Sequence, residues 1–437
     1  MSKDESRILT WTKNIKVAGT ARVWNASDGK PLTQPMKHER GVNGAVFSED
    51  ESRILTWSED RTARVWNASD GKALKSMKHE DSVWGAVFTK DESRILTWSD
   101  DGTARVWNAS DGKLLTEMKH EHSVNGAAFS KDESRILTWS DDCTARLWNA
   151  SDGKAIAEPM KHKSSVRGAA FSRDESRILT WGGKTARVWN ASDGKALTEP
   201  MKHKRSVNGA IFSRDESRIL TWSWDGTARV WNASDGKPLI EPMKHKHCVN
   251  GAVFSRDESR ILTWSDDGTA RVWNASDGKA LTEPMKHEGR VNGAAFSRDE
   301  SRILTWSSDG TARVWNASDG KALTEPIKHE DSVKGAVFSK DESRILAWSG
   351  NMLGGTGTVR VWDIGADYDF PPEYLPLLVE VATGTTMDDS GNVSALSKDE
   401  WEERKQKYIE IAEEHLKTCQ YPKANMYVTQ KRAWGMD

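Results

Sequence analysis

At 437 residues the chain is long enough for two or three ordinary domains, and its 63 basic and 65 acidic side chains nearly cancel, to a formal net charge of -2. That balance leaves no footprint for nucleic acid or an acidic membrane surface. With no apolar leader and no stretch long enough to cross a bilayer, a cytoplasmic protein is expected. The cysteines, Cys143, Cys248 and Cys419, stand far apart without paired spacing, which argues against a disulfide framework or a zinc site.

The chain opens in the middle of a repeated unit. "MSKDESRILTW" at 1–11 is in register with "FSKDESRILTW" at 129–139, so Met1 stands where other copies have Phe. This reads as an internally started or truncated piece of a longer protein. Two tryptophan columns run through the copies that follow, "TW" from Trp11 to Trp306 with "AW" at Trp348, and "VWN" or "LWN" from Trp24 to Trp315 with "VWD" at Trp362. Only Trp84, Trp224, Trp401 and Trp434 lie outside them.

Successive copies of the second column are 41 or 42 residues apart, and 47 for the last. That is the period of a four-stranded propeller blade. Within one unit, "VNGAVFS" (249–255) alternates as strand a. "RILTWS" and "TARVWN" follow as strands b and c, joined by "DDGT", whose Asp-Gly is a hairpin signal. After the "ASDGK" turn, "KALTEPM" is strand d, and its Pro284 suits an outermost position because it lacks a ladder donor. The full count is strands b, c and d at about 6–36, seven complete units, then a, b and c at about 333–363. Eight blades are preferred, with one terminal piece completing the other. Nine is the alternative, needing two more strands.

Two units depart from the pattern. "TWGGKTARVWN" (180–190) is one residue short and lacks the turn aspartate, so His162 loses a partner. The last unit has Ala347 in place of Thr and a long glycine-rich turn, which has no Gly-Lys-Ser/Thr and is not a phosphate loop. Both should form weaker blades. Beyond about residue 364 the repeat stops. "EYLPLLVEVA" suits a short buried helix, and 397–417 a longer one with a Ser397–Glu400 capping box and an apolar stripe of Trp401, Tyr408, Ile409 and Ala412. The expected division is a propeller over 1–364 and a helical extension over 365–437, in which His415 and Cys419 read as incidental.

"KH" followed by "VNGAVFSRDESRILTWSDDGTARVWN" resembles the WD-repeat (WD40) β-propeller family, of a bacterial type with near-identical repeats, over roughly residues 5–364. Lys replaces the family's usual Gly before His, and Asn its usual Asp after Trp, except at Trp362-Asp363. The fold expected is therefore all-β, a propeller with four antiparallel strands per blade plus a small C-terminal α-helical extension. The resemblance also implies a buried hydrogen-bond chain of His, Thr, Asp and Trp in each full blade. The sets are His38, Thr56, Asp60, Trp66; His79, Thr97, Asp101, Trp107; His120, Thr138, Asp142, Trp148; His203, Thr221, Asp225, Trp231; His245, Thr263, Asp267, Trp273; and His287, Thr305, Asp309, Trp315. A hydroxyl, an imidazole and a carboxylate also suggest a hydrolase triad, but six copies around a ring read as structure, since a catalytic site is needed once. The eight Asn-x-Ser sequons of "WNAS" read as turn residues. His120-Glu121-His122 and His245-Lys246-His247 lack a third metal ligand.

The copies differ at few places. One precedes "GA": Asn43, Trp84, Asn125, Arg167, Asn208, Asn250, Asn292 and Lys334. Another precedes the turn Asp: Glu59, Asp100, Asp141, Trp224, Asp266 and Ser308. In the family these places share one rim, the face that usually engages partners, whereas the constant "DES" and "ASDGK" turns share the other. The sequence therefore points to a non-enzymatic, monomeric scaffold that binds a protein or peptide through a diversified rim, with no cofactor, catalytic residue or metal and no nucleic-acid or membrane partner. The alternatives are a recognition fragment of a longer signalling or defence NTPase, although no Walker-type motif is present, and an enzyme with a site in the central channel. The repeated strand a offers no converging carboxylates or histidines for the latter.

Overall fold

The computed structural model describes residues 1–13, 18–350, 358–364, 371–387, 393–418 and 427. Its repeats form nine separate antiparallel sheets, seven with four strands and two with three. Of the two blade counts open at the sequence level, nine is the one observed. The terminal pieces do not merge into one blade. Blade 1 keeps strands b, c and d (Arg7–Trp11, Thr20–Asn25, Met36–Lys37), and blade 9 keeps a, b and c (Val333–Phe338, Arg344–Ser349, Thr358–Asp363).

Blade 7 shows the complete pattern: strand a Val249–Phe254, b Arg260–Ser265, c Thr269–Asn274 and d Met285–Lys286. The b–c hairpin turns at Gly268, whose φ of 77° is open to glycine at no steric cost. The length of strand d depends on the residue before its Met or Ile. Where Pro precedes its Met or Ile, as in blade 7, only two residues pair. Blades 2 and 3 have Ser76 and Glu117 there instead, and their d strands run six residues, Ala73–Lys78 and Leu114–Lys119. A proline cannot donate to the ladder, so the outer strand is cut short.

The core lies between blades rather than within them. Between blades 7 and 8, Leu262, Ala270, Val272 and Met285 of one pack on Ala294, Ile303, Trp315 and Ala317 of the next. The two tryptophan columns face opposite ways. Strand-b Trp264 packs forward into this cluster, and strand-c Trp273 packs backward with blade 6. Strand a carries a β-bulge, since Val249 pairs with Ser265 but Gly251 with Trp264, leaving Asn250 as the extra residue. The glycine is required, because a Cβ there would fall inside the Trp264 indole.

A second repeated contact joins the blades. In blade 8, Glu300 accepts the backbone N–H of Arg256 and the Arg260 guanidinium of blade 7, the latter at 3.3 Å. The same latch recurs at every junction, and at the last one Glu5 of blade 1 accepts the Lys340 N–H of blade 9 at 2.8 Å, with Arg344 at 3.9 Å. The ring is closed. This contact was not expected from the sequence, although the constancy of Glu in "DES" and of the Arg after it was its signal.

After the repeats, α1 (Leu375–Thr383) ends at Gly384, whose φ is 69°, and a short unexpected hairpin pairs Thr385–Met387 with Val393–Ala395. Helix α2 (Lys398–Thr418) starts at the capping box, with Ser397 N–H donating to Glu400 at 2.8 Å. Val381, Tyr408, Ile409, Ala412 and Tyr427 form a core of the extension's own, and Trp401 Nε1 donates to Val381 O at 2.9 Å. The glycine-rich turn of the last repeat (351–357), Cys419 and Trp434 lie outside the described residues. No helix among those described is long and apolar enough to cross a membrane.

Candidate recognition rim

Each of the six expected polar sets is joined in space. In blade 7, Trp273 Nε1 donates to Thr263 Oγ1 at 2.8 Å, and Thr263 Oγ1 lies 2.7 Å from His245 Nε2. His245 Nδ1 lies 3.0 Å from Asp267 Oδ2. An ionised Asp267 places the imidazole proton on Nδ1, so the hydroxyl donates to Nε2 and accepts from the indole. The equivalent bonds around Thr56, Thr97, Thr138, Thr221 and Thr305 measure 2.7 to 3.1 Å. Ser265, two residues beyond Thr263, does different work: it accepts the Asp267 N–H at 3.0 Å and shapes the b–c turn.

The strand-c threonine completes the set and escaped the sequence reading. Thr269 Oγ1 donates to Asp267 Oδ1 at 2.6 Å, and Lys246 N–H reaches Oδ2 at 2.9 Å. Burial alone would raise the Asp267 pKa, but these bonds and that of His245 outweigh it and hold the carboxyl far below the usual range. His120 and His203 are pushed down by burial, against the pull of their aspartates.

The two departing blades show what a missing member leaves. In blade 5, His162 still meets Thr180 at 2.6 Å, but no carboxylate faces its Nδ1, and burial with Arg187 nearby lowers its pKa to about 4. The unfolded chain takes up this proton near pH 6.5, so the stability is present above that pH and is lost as pH falls towards 4. By pH 5 the loss should be about 2 kcal/mol. Thermal unfolding at pH 7 and pH 5 should show a smaller drop in His162→Gln than in the parent; an equal drop would place the acid sensitivity elsewhere. In blade 9, Ala347 replaces the threonine, and neither His329 nitrogen nor Trp362 Nε1 has a hydrogen-bond partner among the described residues.

The variable positions gather at one rim. The b–c turn bonds to the d–a loop there, as Asp266 N–H to Cys248 O at 2.9 Å, while a–b and c–d turns meet at the other, as Ala275 N–H to Ser259 O at 2.9 Å. The second set of turns has its own reason for constancy. The a–b Glu is the blade latch, and Asn274 Oδ1 accepts the Ser276 N–H at 2.8 Å in the c–d turn. Their invariance therefore carries no weight for partner binding at the variable rim.

The asparagines of the rim are also engaged. Asn43, Asn125, Asn250 and Asn292 each donate to the strand-a valine carbonyl of the next blade at 2.8 to 3.1 Å, while Asn208 reaches across at 3.3 to 3.4 Å. Asn125 and Asn250 also reach Asp141 and Asp266. Glu59, Asp100 and Ser308 are half-buried. Trp84, Arg167 and Lys334, which replace the asparagine in blades 3, 5 and 9, are exposed instead. Arg167 lies over the Trp224 ring of the adjacent blade at 4.5 Å, and Lys13 of blade 1 over the Trp84 ring at 5.1 Å.

The model of the WD domain, G-beta repeat, matches residues 29–67, 71–108, 112–149, 194–232, 236–274 and 278–316. Strands a to c of the fifth and ninth blades, which lack members of the polar set, fall outside those matches, as do strands b and c of the first. No curated protein matches the chain. The fold is similar to that of the computationally designed Ika8 protein, with a TM-score of 0.58 at 23% identity over 76% of this chain and 99% of that one. It is also similar to the C-terminal WD40 domain of Sif2, with a TM-score of 0.54 at 17% identity over 69% and 91%. With more than half its length matched repeat by repeat, the chain belongs to the WD40 family.

Proposed function

We propose that this propeller is a non-enzymatic, monomeric cytoplasmic platform that recognises a protein or peptide on the rim of the b–c turns. The observation that carries this reading is the pair of rim tryptophans. Trp84 and Trp224 are 43% and 42% exposed, in places where no other copy carries an aromatic residue. Each lies under a cation, which presents a flat apolar face at low entropic cost. Exposed tryptophans, and an arginine such as Arg167 beside Trp224, are what interface hot spots are made of. Lys334 and the remaining acidic turn residues Asp100, Asp141 and Asp266 supply a mixed-charge border suited to a polar rim around that anchor.

The test is affinity capture with the full chain against Trp84→Ala/Trp224→Ala. Each truncation of a hot-spot aromatic costs about 2 kcal/mol or more, so partners held by this rim should fall by at least about tenfold in the double variant, at unchanged melting temperature. Identical capture by both proteins would reject the rim as the binding face.

A further inference from the structure

The charge of the variable rim is sorted by sector. The residue after the histidine of the d–a loop is lysine in three consecutive blades, 5 to 7 (Lys163, Lys204, Lys246). In blades 2, 3, 4, 8 and 9 it is glutamate (Glu39, Glu80, Glu121, Glu288, Glu330). Three more cations fall in the same sector. Arg205 follows Lys204, Arg167 replaces the strand-a asparagine, and Lys184 stands in the short b–c turn that lacks its aspartate. All six are exposed. The strand-b arginines of blades 5 and 6, Arg177 and Arg218, are paired with glutamates at 3.1 Å, but none of the six has a carboxylate partner among the described residues. They surround Trp224. Arg167 lies over its ring, Lys204 N–H donates to the next residue, Asp225, at 2.8 Å, and Arg205 O accepts the Ser223 hydroxyl at 3.3 Å. Val207 N–H donates to Gly183 O at 2.7 Å, which sets Lys184 beside the same loop. On the other side, Cys248 Sγ lies 3.5 Å from Trp224 O, at the end of the loop that carries Lys246.

We propose that the rim of blades 5 to 7 receives a short acidic segment of a partner protein, with its carboxylates on Arg167, Lys204 and Arg205 and an apolar side chain on the Trp224 ring. This rests on the rim being the binding face and adds the chemistry that the face selects. Unpaired cations around an aromatic surface draw negative charge to it, and a carboxylate reaching Arg167 meets a guanidinium already held in place by the indole. The segment is short because the sector is closed on both sides. Exposed Glu121 of blade 4 and Glu288 of blade 8 flank it, so a nucleic-acid strand crossing the rim would run into like charge. Trp84 stands instead beside the loop of Glu80 and Asp81, so the two rim tryptophans select opposite charge.

The probe is a fluorescein-labelled peptide, Gly-Asp-Glu-Leu-Asp-Glu-Gly, titrated by anisotropy into the full chain beside its neutral counterpart, Gly-Asn-Gln-Leu-Asn-Gln-Gly. Saturable binding of the acidic peptide is expected, at least about tenfold tighter than that of the neutral one. Lys204→Glu/Arg205→Glu should weaken it by about tenfold or more, because attraction becomes repulsion at two places. Arg173→Glu/Arg214→Glu, which reverses two exposed cations in a–b turns of the other rim, should leave it unchanged. No saturable binding, equal binding of the two peptides, or equal losses in the two charge-reversed variants would overturn the proposal. So would tighter binding of a labelled oligothymidine than of the acidic peptide. Affinity capture separates this claim from the one it rests on: partners lost by Trp84→Ala/Trp224→Ala but kept by Lys204→Glu/Arg205→Glu would leave the rim as the binding face and reject its acidic ligand.

Discussion

Gly251→Ala should be among the most damaging single methyl groups that can be added to this protein. The new Cβ would occupy the space of the Trp264 ring, which packs between strand a and the next blade. Overpacking of a core commonly costs about 1–3 kcal/mol, and a rigid indole places this case at the upper end or beyond. Denaturant unfolding should show a loss of about 3 kcal/mol or a separate early transition of the blade 7–8 region. Trp264→Leu in the same chain should recover much of the loss by making room. A Gly251→Ala protein as stable as the parent would mean that the glycine column is inherited sequence without a packing role.

The second large effect is expected at Thr263. Valine has the same shape but cannot accept from Trp273 or donate to His245, so two buried groups lose their partner together. Each orphaned group costs about 1–3 kcal/mol, which gives roughly 2–6 kcal/mol for Thr263→Val and far less for Thr263→Ser. Blade 9 provides the reverse experiment. Ala347 is fully buried beside His329 and Trp362, in a space that holds threonine in the other blades. Ala347→Thr should raise the melting temperature, by an amount equivalent to about 1–2 kcal/mol. Calorimetry of the two variants checks both signs, and a stabilising Thr263→Val would contradict the hydrogen-bond chain as a source of stability.

The repeat made much of this legible, because nine copies of one unit separate what a blade needs from what it tolerates. Period, hairpin signals and the polar sets read directly from the letters. The blade count did not, since it depends on whether the terminal pieces pair with each other. They do not, because the Lys340–Glu5 contact closes the ring with blade 1 still lacking its inner strand. The latch itself was hidden for the opposite reason. An invariant Glu in a turn looks the same whether it is a solvated loop residue or a tie to the next blade. Comparing copies also overstated the rim: the asparagines of strand a look like a recognition array, yet their amides reach the neighbouring strand. What stands out at that rim is the small set of places where the tie was given up for Trp84, Arg167 or Lys334, together with Trp224 in the adjoining turn.

The most direct measurement is hydroxyl-radical footprinting of the full chain with and without a captured partner. Rim recognition requires protection of Trp84 and Trp224, with Leu74, Leu197 and Leu281, exposed near the outer strands, oxidised at their free rates. Protection confined to those leucines or to the a–b and c–d turns, with the two tryptophans unchanged, would contradict it.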